Sequence, residues 1–318
     1  MIAGKKENPG GAGNPAVKEL VILQITIFSL MALGFGARKW KLVSHQGQLE
    51  LTNLVLYLIL PANIVTSFLV EFEHDLLRDC LVILLISVLI QLFSVIYGKL
   101  LYRRQSEDRK KNLVYATICS NAGFLGNPVA EGVYGAQGLM LASIYLIPQR
   151  IMMWSEGLAT YSGSRDGKGT LKKVLTHPCV LACVVGLVLL LTRAKVPDFI
   201  LTPLRTLGRC NTAMSMLVIG MILAEADLKT VLDRTIVWYT VNRLILIPLL
   251  IFLVLRLLPV SALVRGDSVI LAAMPAGATT SMLAAKYERD PEFAAKLVAF
   301  STLLSLPAIV LWTWIVKL

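Results

Sequence analysis

Apolar runs free of charged residues recur along the whole chain and are separated by short polar segments. Nine runs hold 15 to 20 residues each, close to the length of roughly 20 that an α-helix needs to cross a bilayer. They are 20–37, 51–70, 80–98, 112–130, 132–149, 174–192, 210–224, 268–285 and 297–316. A tenth stretch, 235–258, is interrupted only by Arg243 and Arg256, and the fifth crossing extends over Gly138 to Ser162. The pattern predicts an all-α polytopic membrane protein with ten transmembrane helices.

The ten predicted spans divide into two halves of five. Leu77-Arg78-Asp79 before span three resembles Leu232-Asp233-Arg234 before span eight at an offset of 155 residues, and strings that follow spans four and nine match at about 153. Short apolar strings also match by chance. A unit with an odd number of spans that is duplicated in tandem inserts upside down the second time, as in many secondary transporters. We expect a polar tail at 1–16, a first repeat at 17–162, a basic cytoplasmic loop at 163–176 and an inverted repeat at 177–318.

Spans four and nine occupy corresponding places in the two halves and are the spans most interrupted by helix breakers. Span four contains Asn121, Gly123, Gly126, Asn127 and Pro128, and span nine contains Pro275 and Gly277. Proline removes a backbone donor and glycine relaxes a helix, so we expect both spans to be discontinuous. Unpaired backbone at membrane depth is tolerated inside protein or around a wet cavity, where half-helix N-termini attract anions. Two kinked packing helices are the alternative interpretation.

Composition also places the chain in the membrane class. Of its 318 residues, 56% are hydrophobic and only 16% are charged, and the mean hydropathy is +0.70. The net charge is +11. The loops after odd-numbered spans hold 17 Lys and Arg residues, and the other side holds nine, or eleven if Arg205 and Arg209 at the edge of span seven are assigned to it. Because basic loops face the cytoplasm, we expect both termini on the non-cytoplasmic side and no nucleic-acid partner.

The spacings of common catalytic and metal sites are missing from the sequence. The string from Gly163 to Thr170 resembles a phosphate loop, but it has three residues between its glycines where four are required, and it joins two predicted membrane helices. The three histidines lack zinc-ligand spacing, and we interpret Cys179 and Cys183 in span six as packing residues. The sequence therefore favours a protein that is not an enzyme and that has no cofactor and no metal.

At the two interrupted spans the sequence resembles the auxin efflux carrier family, which includes plant auxin exporters and bacterial permeases for malate, malonate and related acids. The resemblance extends from about Val21 to Val316 and depends most on Asn121, Gly126 and Pro128 and on the string from Ala272 to Gly277. It implies two inverted five-helix repeats, with a scaffold of spans one, two, six and seven and a mobile core of the other six. Spans four and nine would cross at their broken centres, as in the related bile-acid and sodium–proton transporters.

Two features separate the chain from the plant exporters. Those proteins have a proline immediately before the asparagine of span four, where this chain has Ser120. They also carry a long cytoplasmic loop, where only about fifteen residues separate spans five and six here. A bacterial-type permease of the inner (plasma) membrane is the closer likeness, and a homodimer is compatible with the resemblance alone.

The candidate substrate ligands lie near the expected crossing. Asn121 and Asn127 can donate amide hydrogens to a carboxylate without burying a charge, and Arg150 can clamp a carboxylate with two N–H groups. The full set is Asn63, Ser67, Asn121, Asn127, Pro128, Arg150, Pro275, Gly277, Thr279 and Thr280. Each has a structural alternative: Asn121 can cap a broken helix, Arg150 can pair with Glu131 or Glu156, and hydroxyls can bond back to their own helix.

Glu131 and Arg243 are the candidates for ion coupling. Glu131 can carry a proton or lie solvated at the outer surface, and Arg243 can line a cytoplasmic vestibule or extend toward the membrane surface. Span nine has no acidic residue between Asp267 and Glu288, which favours protons over sodium. The sequence thus predicts a secondary transporter of a small organic anion, such as malate, malonate or an auxin-like acid, that works by elevator-type alternating access. A ligand-binding membrane receptor without net transport and a channel are the alternatives.

Overall fold

The computed structural model describes residues 15–69, 74–162, 175–225 and 233–317. Their α-helices are α1 (Pro15–Lys39), α2 (His45–Leu54), α3 (Leu60–Ser67), α4 (His74–Leu101), α5 (Glu107–Ile118), α6 (Asn127–Met152), α7 (Leu158–Ser162), α8 (Pro178–Thr192), α9 (Asp198–Arg209), α10 (Asn211–Glu225), α11 (Arg234–Val241), α12 (Ile247–Arg256), α13 (Ala262–Ala272), α14 (Thr279–Lys286) and α15 (Pro291–Lys317). The same part of the chain contains four π-helical turns, at Val55–Ile59, Ala122–Gly126, Met153–Gly157 and Asn242–Leu246. The predicted all-α class is confirmed for the described residues. Nearly all of the predicted polar tail and basic loop lies outside them.

Within the described ranges, five helical stretches are long and apolar enough to cross a membrane. They are His45–Ser67, Asp75–Leu101, Asp198–Ala224, Arg234–Arg256 and Pro291–Lys317, and Pro178–Thr192 is a shorter apolar helix. These stretches correspond to predicted spans two, three, seven, eight, ten and six. Helix α1 and the interrupted stretches α5–α7 and α13–α14 occupy the places of the remaining spans, so the count of ten stays a prediction.

Helix α4 has a strongly apolar exposed face and buries polar side chains among isoleucines, unlike a helix on the surface of a soluble protein. Its exposed face carries Leu81, Leu85, Leu89, Leu92 and Ile96. Its buried face includes Ser87, Gln91 and Ser94, and both serine hydroxyls donate to carbonyls of their own helix at 2.8 Å. Large apolar side chains toward lipid and small polar ones toward other helices are typical of membrane packing.

Three of the four π-turns end directly before a dipeptide whose second residue is proline, namely Pro61, Pro128 or Pro248. In each case the amide of the residue before proline donates to the carbonyl five residues earlier. Proline has no N–H, and its ring clashes with the carbonyl four residues before it, so a regular α-helix cannot continue unchanged. The wider π-turn moves that carbonyl away from the ring, and the extra residue rotates the helix face beyond it.

Both helix interruptions predicted from the sequence are present. Helix α5 ends at Ile118 before the π-turn that begins at Ala122, and α13 ends at Ala272 before α14 begins at Thr279. A further bend lies inside α6 at Gly135, whose φ of 66° favours glycine. The bend separates residues 127–134 from the helix that continues as the predicted fifth crossing.

Helices α1 and α10 approach each other at two glycines. A Cβ on Gly34 would lie 2.1 Å from the carbonyl oxygen of Leu217, and a Cβ on Gly220 would lie 2.0 Å from that of Met31. The two backbones therefore touch at both positions, as membrane helices do where small residues meet. Elsewhere α3 packs against α8 and α9, and α6 packs against α4 and α13.

Candidate functional site

The two helix interruptions meet and pair with each other. Ser120 and Ala276 form an isolated antiparallel β-bridge. The amide of Asn121 donates to the carbonyl of Pro275 at 2.8 Å, and the amide of Gly277 donates to the carbonyl of Cys119 at 3.0 Å. Backbone groups that the broken helices leave unpaired are thus satisfied inside the protein. We call residues 119–121 and 275–277 the crossing.

Arg243 binds both sides of the crossing from its place in a π-turn. The side chain is buried, its Nε donates to the carbonyl of Met274 at 2.8 Å, and its Nη1 donates to the carbonyl of Thr117 at 3.1 Å. Both carbonyls lie at or just beyond the C-terminal end of an interrupted helix, where the helix dipole favours a positive charge. These contacts give Arg243 a structural task, and they lend no support to the predicted coupling role.

A reciprocal pair of hydrogen bonds fixes residues 119–121 of the crossing to α6. The hydroxyl of Ser120 donates to Oε1 of Gln149 at 3.0 Å, and Nε2 of Gln149 donates to the carbonyl of Ser120 at 2.8 Å. Both side chains are buried. Sequence reasoning missed Gln149, although a glutamine inside an apolar run was a signal because a buried amide needs a partner.

The two asparagines predicted as ligands flank the first interruption. The crossing uses the backbone amide of Asn121, and the Asn121 side chain is buried. Asn127 begins α6, followed by the buried Pro128, and is fully buried itself. Neither polar atom of the Asn127 side chain has a hydrogen-bond partner among the described residues. An unsatisfied buried polar group costs about 1–3 kcal/mol, so we expect a bound polar group to complete this site.

Two candidates from different predicted spans contact each other. Nδ2 of Asn63 in α3 donates to Oε2 of Glu131 in α6 at 2.9 Å. Gly208 of α9 lies close to Asn63, since a Cβ there would come within 3.0 Å of the Asn63 Cα. Ser67 instead donates to the carbonyl of Ile64 in its own helix at 2.7 Å, which matches its structural alternative.

The candidates of span nine divide into backbone and side-chain contributors. Pro275 and Gly277 supply backbone groups to the crossing, and a Cβ on Gly277 would lie 2.8 Å from the carbonyl oxygen of Cys119. Thr279 is half-buried at the first residue of α14. Thr280 is fully buried, and its hydroxyl has no partner within the described ranges. Among the span nine candidates, Thr280 thus has an unused side-chain hydrogen-bonding group.

Arg150 is buried next to the start of α8. It is 7% exposed, its Nη1 has no hydrogen-bond partner in the described part of the chain, and it lies within electrostatic reach of Cys179 and Cys183. The two carboxylates considered as its partners make other contacts, Glu156 with Lys99 and Glu131 with Asn63. Its neighbour Gln149 reaches the crossing, so Arg150 lies at the same depth.

Helices with apolar outer faces and two interrupted helices paired between them define an integral membrane protein of the transporter class. The chain belongs to the membrane transport protein family, whose model matches residues 20–170 and 165–313. An uncharacterized transporter of Methanocaldococcus jannaschii is 26% identical over 306 residues, which is 92% of this chain and 97% of the relative. An uncharacterized transporter of Methanothermobacter thermautotrophicus is 26% identical over 299 residues, 91% of this chain and 96% of the relative. The resemblance found in the sequence is thereby confirmed at the level of the family.

Proposed function

We propose that the protein is a secondary carrier that moves a small organic anion by alternating access and binds it at the crossing. The observation that carries this proposal is the backbone pairing of the two interruptions, with polar side chains of both halves buried around it. Two continuous packing helices would satisfy their backbone groups internally. Interrupted helices are favoured where a ligand uses the half-helix ends.

The unused hydrogen-bonding groups near the crossing favour a carboxylate as ligand. Arg150 offers the N–H groups of Nη1 and a positive charge, and Asn127 offers an amide. Both residues are buried, and neither Nη1 of Arg150 nor the amide of Asn127 has a hydrogen-bond partner in the described residues. An amide and a guanidinium can both donate to the two oxygens of a carboxylate. Malate, malonate and auxin-like acids are therefore the first substrates to test.

The contacts between helices support a division into two bodies. Helix α1 packs on α10, and α3 on α8 and α9, whereas α4 packs on α5 and α6, and α13 packs on α6, α12 and α15. These groups match the scaffold and the core that the family resemblance implies. Between them lie the hydrogen bond from Asn63 to Glu131, the contact of α10 with the π-turn Ala122–Gly126, the contacts of α6 with α3 and α8, and the contacts of α15 with α1 and α10. In an elevator motion the core would slide along the scaffold and exchange these contacts.

The proposed topology has ten spans in two inverted repeats, 17–162 and 177–318, with both termini on the non-cytoplasmic side of a bacterial inner membrane. The family match changes from its first to its second segment at 165–170, inside the predicted basic loop, which supports the five-plus-five division. A homodimer is part of the same proposal.

Counterflow in proteoliposomes tests the carrier function. Vesicles loaded with unlabelled malate or malonate are diluted into the labelled acid, and a carrier gives transient accumulation of label. Loss of a charge-assisted hydrogen bond costs about 1.5–3 kcal/mol, so Arg150→Met should raise the half-saturation concentration roughly tenfold or more. Asn127→Ala should weaken uptake in the same direction, whereas Asn53→Ala, on the exposed face of α2, is the matched control.

Two results would contradict the carrier proposal. Uptake that rises linearly with concentration, without saturation or counterflow, would indicate a channel. Thermal stabilisation by one of these acids without any flux would indicate a receptor or sensor.

A further inference from the structure

Asp267 is an acidic residue buried without a partner. It lies in α13, is 0% exposed, and neither carboxyl oxygen has a hydrogen-bond partner among the described residues. The hydroxyls of Ser268 and Tyr134 likewise have no hydrogen-bond partner among the described residues. The Tyr134 hydroxyl lies only 1.8 Å from the position that a Cβ on Gly266 would occupy, so the ring from α6 reaches the turn of α13 that carries Asp267. The proposed anion site does not use this carboxyl group.

An ionised carboxylate at this position would be costly. An unpaired charge inside a membrane protein is penalised by several kcal/mol, which is why such groups are neutralised or paired. The described residues contain no group of three or more His, Cys, Asp or Glu side chains that could hold a metal ion. A proton removes the charge and also supplies an O–H donor.

The ionisable groups around Asp267 leave it without an ion-pair partner. Helix α6 contributes Tyr134 and Tyr145, neutral rings within electrostatic reach of the carboxyl. Arg265 of α13 itself interacts with Tyr134, and Lys317 of α15 lies 5.7 Å from the centre of the Tyr134 ring. Asp79 of α4 accepts a hydrogen bond from Ser261, and Arg256 lies at the exposed end of α12. The neighbouring π-turn Ala122–Gly126 has no ionisable side chain.

Asn112 is the counterpart of Asp267 in the first half of the chain. The two residues are 155 positions apart, as are the first residues of α5 and α13 and the positive-φ residues Gly135 and Asp290. Nδ2 of Asn112 donates to the carbonyls of Arg289 and Asp290 at 2.8 and 3.2 Å and so fixes the turn before α15. A carboxyl group can donate in the same way only when it is protonated.

Tyr145 links Asp267 to the crossing. This buried ring of α6 lies within electrostatic reach of both Asp267 and Arg243. Arg243 in turn donates to both sides of the crossing. Asp267 and the residue that holds the crossing together are thus both neighbours of one buried ring.

We propose that Asp267 is the proton-binding site of this carrier. Its carboxylate takes up one proton when its side of the core is open to water, is carried buried as the neutral acid, and releases that proton on the other side. One O–H bond forms and the same bond breaks in each cycle, so the proton is conserved and its charge is transferred from one side of the membrane to the other. The proposal rests on the proposed carrier function and moves the coupling role from Glu131 to Asp267.

The first test needs no substrate. An ordinary aspartate is ionised at neutral pH and has no C=O band of a protonated carboxylic acid in the infrared spectrum. If Asp267 holds a proton, this band should be present in the lipid-embedded wild type and lost in Asp267→Asn. The asparagine copies the residue found at the counterpart position, so the variant is expected to fold, and its melting temperature checks this. Glu131→Gln is the matched control and should keep the Asp267 band. Equal bands in the wild type and Asp267→Asn would overturn the proposal.

The second test separates the proton site from the carrier function. Proteoliposomes receive labelled malonate under an imposed pH gradient, and counterflow is measured in parallel without the gradient. Wild-type uptake should follow the gradient, whereas Asp267→Asn should lose the gradient-driven accumulation and keep counterflow. Gradient-driven uptake in the variant, or wild-type uptake that does not follow the imposed pH gradient, would overturn the proton site. Absence of wild-type counterflow with every acid tested would overturn the carrier function instead.

Discussion

Arg243 donates to one carbonyl from each interrupted helix, and its removal should loosen the crossing. Each carbonyl left unsatisfied costs roughly 1–3 kcal/mol, so Arg243→Met should lower the free energy of unfolding by a few kcal/mol. Arg243→Lys keeps the charge but lacks the planar fork that reaches two acceptors, so its loss should be intermediate. Thermal unfolding in detergent measures both variants. Arg256→Met, at the exposed end of α12, is the control, and an equal loss in this variant would contradict the assigned role of Arg243.

At the same scale, the sequence identified several residues near the site, but it did not predict their hydrogen-bond partners. Asn121 and Asn127 follow from the rule that polar residues inside an apolar run need a reason. The partners of Arg243 could not be predicted, because a backbone carbonyl is exposed by a helix end and not by any residue type. Gln149 was missed because its partner, Ser120, carries no charge and no helix-breaking property.

At the scale of helices, the contact between α1 and α10 depends on glycine. Alanine at Gly34 or Gly220 would place a methyl carbon about 2 Å from a backbone oxygen, so the helices must move apart. Overpacking of this kind typically costs about 1–3 kcal/mol. Gly220→Ala should lower the melting temperature, and Gly34→Ala should do so to a similar extent.

Gly123 supplies the control for these two substitutions. A Cβ on Gly123 meets nothing within 4 Å, so Gly123→Ala should leave the melting temperature unchanged or raise it. If all three alanine variants melt alike, the α1–α10 contact does not limit stability.

The π-turns explain why the sequence predicted the helices better than their faces. Apolar runs gave the spans, and Pro and Gly gave the interruptions near Asn121 and Pro275. Each π-turn inserts one residue, so a helical wheel drawn through Val55–Ile59 or Asn242–Leu246 places every later side chain about 100° from its true direction. Hydrophobic periodicity therefore could not predict the directions in which the side chains of Asn63 and Pro248 point.

At the scale of the whole molecule, ion pairs on one face join three distant parts of the chain. Arg109 lies 3.0 Å from Asp233 and 3.6 Å from Asp290, and Arg289 lies 3.4 Å from Asp108. Burial alone would raise the pKa of Asp233, but hydrogen bonds from Thr235 and the guanidinium of Arg109 outweigh it and lower that pKa. This face therefore connects α5, α11 and the turn before α15 through ion pairs.

The lowered pKa of Asp233 predicts a loss of stability in acid. Because the pKa in the folded state is below that of the unfolded chain, the stabilisation is fully present above the unfolded pKa and is lost as pH falls through the folded one. The melting temperature of the wild type should fall over this acidic window, and that of Asp233→Asn should start lower and fall less. Glu107→Gln, which removes an exposed carboxylate from the same face, should keep the wild-type slope. Equal slopes in the wild type and Asp233→Asn would contradict the prediction.

Arg243 also carries an elementary charge to the depth of the crossing, and its hydrogen-bond partners are carbonyls, which have no net charge to cancel it. A core that moves this charge across the membrane works with or against the transmembrane voltage, at about 2.3 kcal/mol for each charge that crosses 100 mV. In the proposed motion, a bound monovalent anion offsets one positive charge of the core. The loaded and the empty core must then respond differently to voltage, so a potassium diffusion potential should change net uptake more than exchange.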